Sequence, residues 1–205
     1  MTPHSPTGAG PPAQIYVIRH GEKPADPPTP TAAPGPPFGV DVNGNQGIHS
    51  LLPRGWQRSG ALAVLFAPAV GPLQAGLRTP ATLFSPDYGN PEKTQGHRTY
   101  ETIQGLSDRL GVPINSPFAE GQEPALASAV VADYTGVVLI CWEHQHIPAI
   151  GTALPTVSGT QIPAVWPGDR FDVIWSFTLE PAASPAEYVF SQIPQQVLAG
   201  DVDTV

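Results

Sequence analysis

Cysteine is almost absent from this chain. Cys141 is the only one in 205 residues, so no disulfide can close within it. Its place in an apolar run marks it as an inert core thiol. Charge is sparse as well: 13% of residues are charged, and nine Lys plus Arg stand against seventeen Asp plus Glu, a net charge of −8. So few cations argue against wrapping nucleic acid or lying on an anionic membrane surface. No apolar run approaches the roughly 18–20 residues of a membrane span. The N-terminus has no basic segment followed by an apolar one, the pattern of a secretory signal. These absences predict a cytoplasmic protein with no membrane or nucleic-acid partner. They also make each of the seven arginines conspicuous. No internal repeat is visible.

Proline, by contrast, is abundant. There are 27, and eleven fall within the first 37 positions. Residues 1–13 read as a disordered lead-in. Residues 14–205 are enough for one domain with a sizeable core. Residues 23–50 are dense in Pro and Gly and nearly devoid of core residues, so burial cannot offset the entropy of ordering them. They read either as a lid or as a long surface loop.

Against this background a few segments have clear periodicity. Ile15-Tyr16-Val17-Ile18 and Val137-Val138-Leu139-Ile140-Cys141-Trp142 are continuous apolar runs of strand formers, the pattern of strands buried on both faces. Thr82 to Pro86 is a third, shorter candidate. Helical spacing runs from Pro53 through Ala61, Leu62, Leu65 and Phe66 to a stop at Pro68. It recurs from about His97 to Leu110 with Gly111 as terminator, from about Glu123 to Tyr134, and from near Pro148. Phe171 to Phe177 alternates like a half-buried strand, with Tyr188 to Gln192 as a possible partner. Strands alternating with helices imply an α/β fold built on parallel βαβ units.

Both long apolar runs end on polar clusters, the first on Arg19-His20-Gly21-Glu22 and the second on Glu143-His144-Gln145-His146. Ligand sites in open α/β sheets collect at the carboxyl ends of strands. There an Arg can hold phosphate oxygens through its planar fork of donors. A neutral imidazole can attack phosphorus, and Gly21 lets the backbone turn or approach a ligand closely. His144 and His146, two apart, could instead chelate a metal with His20 or a carboxylate as third ligand, a reading that leaves the arginines without a task. Arg58 reads as part of a solvated helix start. His4, His49 and His97 read as loop residues. Trp142, Trp166 and Trp175 read as packing, although Trp142 could line a pocket beside His144. Glu22 and Lys23 have no evident role.

The ordered set formed by a strand ending in Arg19-His20-Gly21, then Ser85-Pro86 followed by Arg98-Thr99-Tyr100-Glu101-Thr102, then a strand carrying His144, resembles the histidine phosphatase superfamily, the phosphoglycerate-mutase-like proteins. Arg54-Gly55-Trp56-Gln57 is similar to a further family pattern. The resemblance covers most of residues 14 to 150. It implies a three-layer α/β/α sandwich with a mainly parallel central sheet. It also implies a metal-independent phosphatase acting on a small phosphorylated substrate through a phosphohistidine on His20. Arg19, Arg98 and a protonated His144 would cage the phosphate, with no metal or cofactor. A mutase would call for more cations than the chain offers. A non-catalytic phosphate-binding or regulatory module would keep the fold without turnover. Two departures stand out. Residues 87–97 separate Ser-Pro from Arg98 like an insertion. Gln145 and His146, rather than a small residue or an Asp, follow His144, so the proton donor must come from elsewhere. The family's usual placement points to Glu120 or Glu123. Glu123 opens a helix whose dipole lowers its pKa, which favours Glu120 as the acid. The oligomeric state has no signature.

Overall fold

In the computed structural model, residues 10–26 and 35–204 are described. Expectations for residues 1–9, among them His4, and for residues 27–34 of the Pro-rich segment lie outside the described residues. Six strands form one sheet: β1 (Gln14–Arg19), β2 (Thr82–Phe84), β3 (Ile114–Asn115), β4 (Val137–Trp142), β5 (Val173–Leu179) and β6 (Tyr188–Pro194), in the order β3-β2-β4-β1-β5-β6. β1 to β4 run parallel, and β5 and β6 add an antiparallel edge. The helices are α1 (Pro53–Phe66), α2 (Pro91–Gln95), α3 (Arg98–Leu110), α4 (Glu123–Asp133) and α5 (Ile147–Ala153).

The continuous apolar runs of β1 and β4 follow from their central position, with every residue of both strands buried. Alternation along them divides the core in two. Ile15, Val17, Val138, Ile140 and Trp142 pack with residues of α4 and α5, whereas Tyr16, Ile18, Leu139 and Cys141 pack with α1 and α3. The result is the expected three-layer α/β/α sandwich with a mainly parallel sheet. Trp166 and Trp175 lie in the α4/α5 layer with Trp142.

Several details differ from the sequence expectation. β5 is buried through its first five residues, because it pairs with β1 on one edge and β6 on the other while both faces are covered. Pro12 and Ala13, assigned by composition to a disordered lead-in, are tied to the sheet. Ala13 N–H donates to the Gly136 carbonyl, and Tyr188 Oη donates to the Pro12 carbonyl. The insertion before Arg98 folds into α2, capped by the Asn90 side chain, which accepts from Lys93 N–H at 2.6 Å. Of the Pro-rich segment, residues 35–50 run beside α1 and α3. Trp56 Nε1 donates to the Val40 carbonyl, and Arg98 N–H donates to the His49 carbonyl. His49 stacks on His97 and His97 on Tyr88, at centroid distances of 4.7 and 3.5 Å, so neither His49 nor His97 is a bare loop residue.

α1 begins with Pro53, whose missing N–H costs nothing in a first turn, and turns Gly55, Arg58, Ser59, Leu62, Ala63 and Phe66 inward. Arg58 is therefore not at a solvated helix start. It is 2% exposed and bridges Glu22 at 2.9 Å and Asp201 at 2.7 Å, with Gln195 Oε1 accepting from Nη1 at 2.9 Å. This network ties the turn after β1 to α1 and to the C-terminal segment. A Cβ on Gly55 would meet the Glu22 carbonyl at 2.6 Å, so the same turn needs a glycine beneath it.

Truncating one member of a buried ion pair strands the other charge, at a cost of about 3–5 kcal/mol. Arg58→Ala should accordingly lose about that much stability in urea unfolding, whereas Arg54→Ala, at the exposed edge of the network, should lose under about 1 kcal/mol.

Candidate active site

The parallel register of β1 and β4 places Arg19 opposite Trp142. His20 N–H extends the ladder to the Trp142 carbonyl at 3.3 Å. The next residue on each strand thus brings His20 beside Glu143. The chain leaves β1 toward α1 on one face of the sheet and leaves β4 toward α5 on the other. Ligand crevices form at the carboxyl ends of strands whose connections diverge in this way, and His20, Glu143 and His144 lie just past those ends.

His20 is 1% exposed. Its Nδ1–H donates to the Gly21 carbonyl at 2.7 Å, which leaves Nε2 facing Glu143 Oε1 at 3.3 Å. A hydrogen bond between Nε2 and that oxygen needs one proton, shared by the pair. Burial pushes the His20 imidazolium down from its ordinary value, with Glu143 opposing and Arg98 adding to the fall. Burial alone would raise Glu143, but the hydrogen bond and charge of His20, together with His144, hold it well below the usual carboxylate range. The second carboxylate oxygen accepts from His144 Nδ1 at 2.5 Å. The two imidazoles stand edge to face with centroids 6.2 Å apart.

Arg19 is 1% exposed. Nη1 donates to the Gly168 carbonyl at 2.6 Å and to the Arg170 carbonyl at 3.3 Å, and the guanidinium carbon lies 3.8 Å from the Phe171 ring centroid. Burial brings its pKa down to about 10, and Glu143 pulls it back up, so the group stays charged at neutral pH. Its buried Nε has no hydrogen-bond partner among the described residues. Arg98, half-buried at the start of α3, is fixed by the His49 carbonyl on its backbone N–H. Its charge reaches both Arg19 and His20. Lys23 pairs with Asp26, and its charge reaches His144.

His20 and His144 thus stand together, and the charges of Arg19 and Arg98 bear on them. The expected protonated state of His144 is opposed by burial and by the charge of Arg19, which lower its pKa despite Glu143. Glu123, the second candidate acid, has its carboxylate on other partners. Its carboxylate accepts from Trp142 Nε1 and Gly121 N–H, both at 2.9 Å, and pairs with His146 at 3.2 Å. Burial would raise it, but these bonds lower it. Glu120 is exposed and accepts from Tyr88 Oη at 2.8 Å; among the described residues no hydrogen bond joins it to His20 or His144. His146, turned to Glu123, does not join His144. The set whose ligand atoms lie within 4.8 Å of one another is His20, Glu143 and His144. Glu143 is thus the site residue that the sequence reading placed only within a chelating motif. The signal that could have found it was its place directly after the second apolar run, one position past Trp142 as His20 is one position past Arg19.

One turn along α3 from Arg98 lies Glu101, 1% exposed. Oε2 accepts from Leu51 N–H at 2.8 Å. Burial raises its pKa from 4.5 to about 7. An acid raised in the folded state contributes stability below its unfolded value, and this is lost as pH climbs through the folded value. Unfolding free energies in urea should therefore fall between pH 4.5 and about 7 by an amount on the order of 2–3 kcal/mol from this group. Glu101→Gln should flatten that part of the profile.

No family model matches the chain, and no curated protein matches it. Solved structures do show similarity. A mycobacterial glucosyl-3-phosphoglycerate phosphatase in complex with VO3 aligns at 13% identity with a TM-score of 0.48, over 87% of this chain and 97% of its own. A protein assigned as the phosphohistidine phosphatase SixA of Agrobacterium tumefaciens aligns at 13% identity with a TM-score of 0.47, over 88% and 97%. At such identity the likeness does not extend to the chemistry. Among the described residues, no helix is long and apolar enough to cross a membrane.

Proposed function

We propose that the chain is a phosphomonoester phosphatase that works without a metal, through a phosphohistidine on His20. The observation that carries this reading is a buried imidazole whose Nδ1–H is committed to the Gly21 carbonyl, beside a buried Arg19 whose Nε lacks a partner. The first leaves Nε2 as the one nitrogen available for bonding. The second is a charged donor awaiting an acceptor, which in a buried site is costly to leave unmatched.

A phosphoryl group must have its nonbridging oxygens neutralised and its phosphorus held in line with the nucleophile. Arg19, Arg98 and His144 supply the donors. The proton shared between Nε2 and Glu143 must leave the nitrogen before attack, and the carboxylate is its nearest acceptor. A phosphate dianion beside that carboxylate raises its proton affinity. Glu143 then holds the proton that the leaving oxygen requires. As Nε2 bonds to phosphorus, the P–O bond to the leaving group breaks and the oxygen takes the Glu143 proton. Water next attacks the phosphohistidine and gives a proton back to Glu143, and the N–P bond breaks to release phosphate. Glu143 therefore replaces Glu120 and Glu123 as the proton-handling group.

Aryl phosphate hydrolysis tests this reading. Activity should survive a chelator, fall to background in His20→Ala and be inhibited by vanadate, and an acid-quenched reaction should trap an acid-labile phosphoryl label on wild type alone. Chelator-sensitive activity would instead favour a metal held by His20, Glu143 and His144. Phosphate binding without turnover would make the chain a binding module. Glu143→Gln probes the acid separately. Alkyl phosphates, with poor leaving groups, should slow by about 10²–10⁴-fold. A nitrophenyl ester should slow far less in its first step, and equal losses on both would reduce Glu143 to a positioning role.

A further inference from the structure

The nine cations are almost all committed. Arg54 and Arg58 bind Glu22, Arg58 also binds Asp201, Arg170 binds Asp172, Lys23 binds Asp26, and Arg109 donates to the Ala67 carbonyl behind α1. Arg19 and Arg98 belong to the phosphate cage. Lys93 is on α2, and Arg78 precedes β2 with its N–H on Tyr16 Oη. A substrate with a second phosphate or a carboxylate would find little to receive it.

The site opens instead on a cleft of about 370 Å³ that starts at His144 and contains no Lys or Arg. Its walls are Pro148, Ala164, Val165 and Trp166, with Gln145 and the Gly168 backbone as the remaining lining. The volume falls within the range of small-molecule sites, about 300–1,000 Å³. Trp166 Nε1 already donates to the Arg170 carbonyl at 2.8 Å, so the indole has no polar atom left to offer a ligand. Its ring packs against Trp175 at 5.3 Å, which anchors that wall to the core. Val165 is 73% exposed, an apolar side chain left in solvent at the rim. The segment that forms this wall also carries the Gly168 carbonyl that holds Arg19. The cage and the cleft are therefore built from one loop and meet at His144.

We propose that this cleft receives the leaving group, and that the substrate is a phosphomonoester of an uncharged, apolar alcohol, alkyl or aryl, rather than a sugar phosphate or bisphosphate. The proposal rests on the phosphatase reading of the same site. The phosphoryl group lies on Arg19, Arg98 and His144, and the chain beyond the ester oxygen lies against Pro148, Val165 and Trp166.

The test uses two series on the whole chain. Binding of n-alkylphosphonates from ethyl to octyl, measured by calorimetry, reports the cleft without any turnover. Hydrolysis of the matching n-alkyl phosphates, whose leaving groups differ little in acidity, reports it through kcat/KM. Each methylene buried should tighten Kd and raise kcat/KM by about two- to fourfold. Glycerol and glucose phosphates should fall below the alkyl ester of similar size. Val165→Asp should flatten both series, whereas Val70→Asp, at a distant exposed valine, should leave the slopes as they are. Chain-length-dependent binding with no hydrolysis would uphold the cleft and sink the phosphatase reading. A Kd independent of chain length, or a preference for the sugar phosphates, would overturn the inference even if the enzyme hydrolyses phosphoesters.

Discussion

Parallel pairing of β1 with β4 is the constraint on which the site depends. The two strands are both six residues long and pair Gln14 with Val137 through Arg19 with Trp142. The next residue along each strand is the one that leaves the sheet. No loop has to search for His20 or Glu143; the ladder delivers them. Burial of both strands on both faces makes the register costly to change, because a slip by one residue would turn every side chain to the wrong layer. A site built this way has the precision of the sheet core.

The electrostatics follow from that burial. Burial and the charge of Arg98 both disfavour a proton on His20. Glu143 opposes that loss, bonding to both imidazoles and also opposing the loss of charge on Arg19. On the phosphatase reading proposed above, a phosphate takes over these contacts, and the carboxylate exchanges an ion-pairing role for a proton-carrying one. The pairing of Glu22 with Arg54 and Arg58 contributes differently, by fixing the turn after His20 and withdrawing two cations from substrate recognition.

Much of this was legible in the chain. The layers and the parallel core follow from the apolar runs, and the placing of His20 and His144 at neighbouring strand ends follows from the polar clusters that close those runs. What escaped notice has physical causes. Arg58 has the spacing of a surface residue, and two partners distant in sequence, Glu22 and Asp201, make it a buried ion pair. Glu123 resembles a free helix-start carboxylate until Trp142 and His146 are seen to occupy it. Glu143 was hidden because its importance lies in a cross-strand neighbour, which no one-dimensional pattern displays. β5 looked half-buried because its alternation suits an exposed face, yet both of its edges are paired. The insertion at 87–97 has few apolar residues from which to read the short α2.

The central claim is that one tetrahedral anion is held by Arg19, Arg98 and His144 in line with His20. A crystal structure of the protein with vanadate tests it most directly. Vanadium should be bonded to His20 Nε2 in trigonal-bipyramidal geometry, with the two guanidinium groups and His144 on its oxygens and the Glu143 carboxylate displaced from Nε2. Vanadate bound elsewhere, or bound in the crevice with Glu143 still on His20 and no bond to the imidazole, would contradict it.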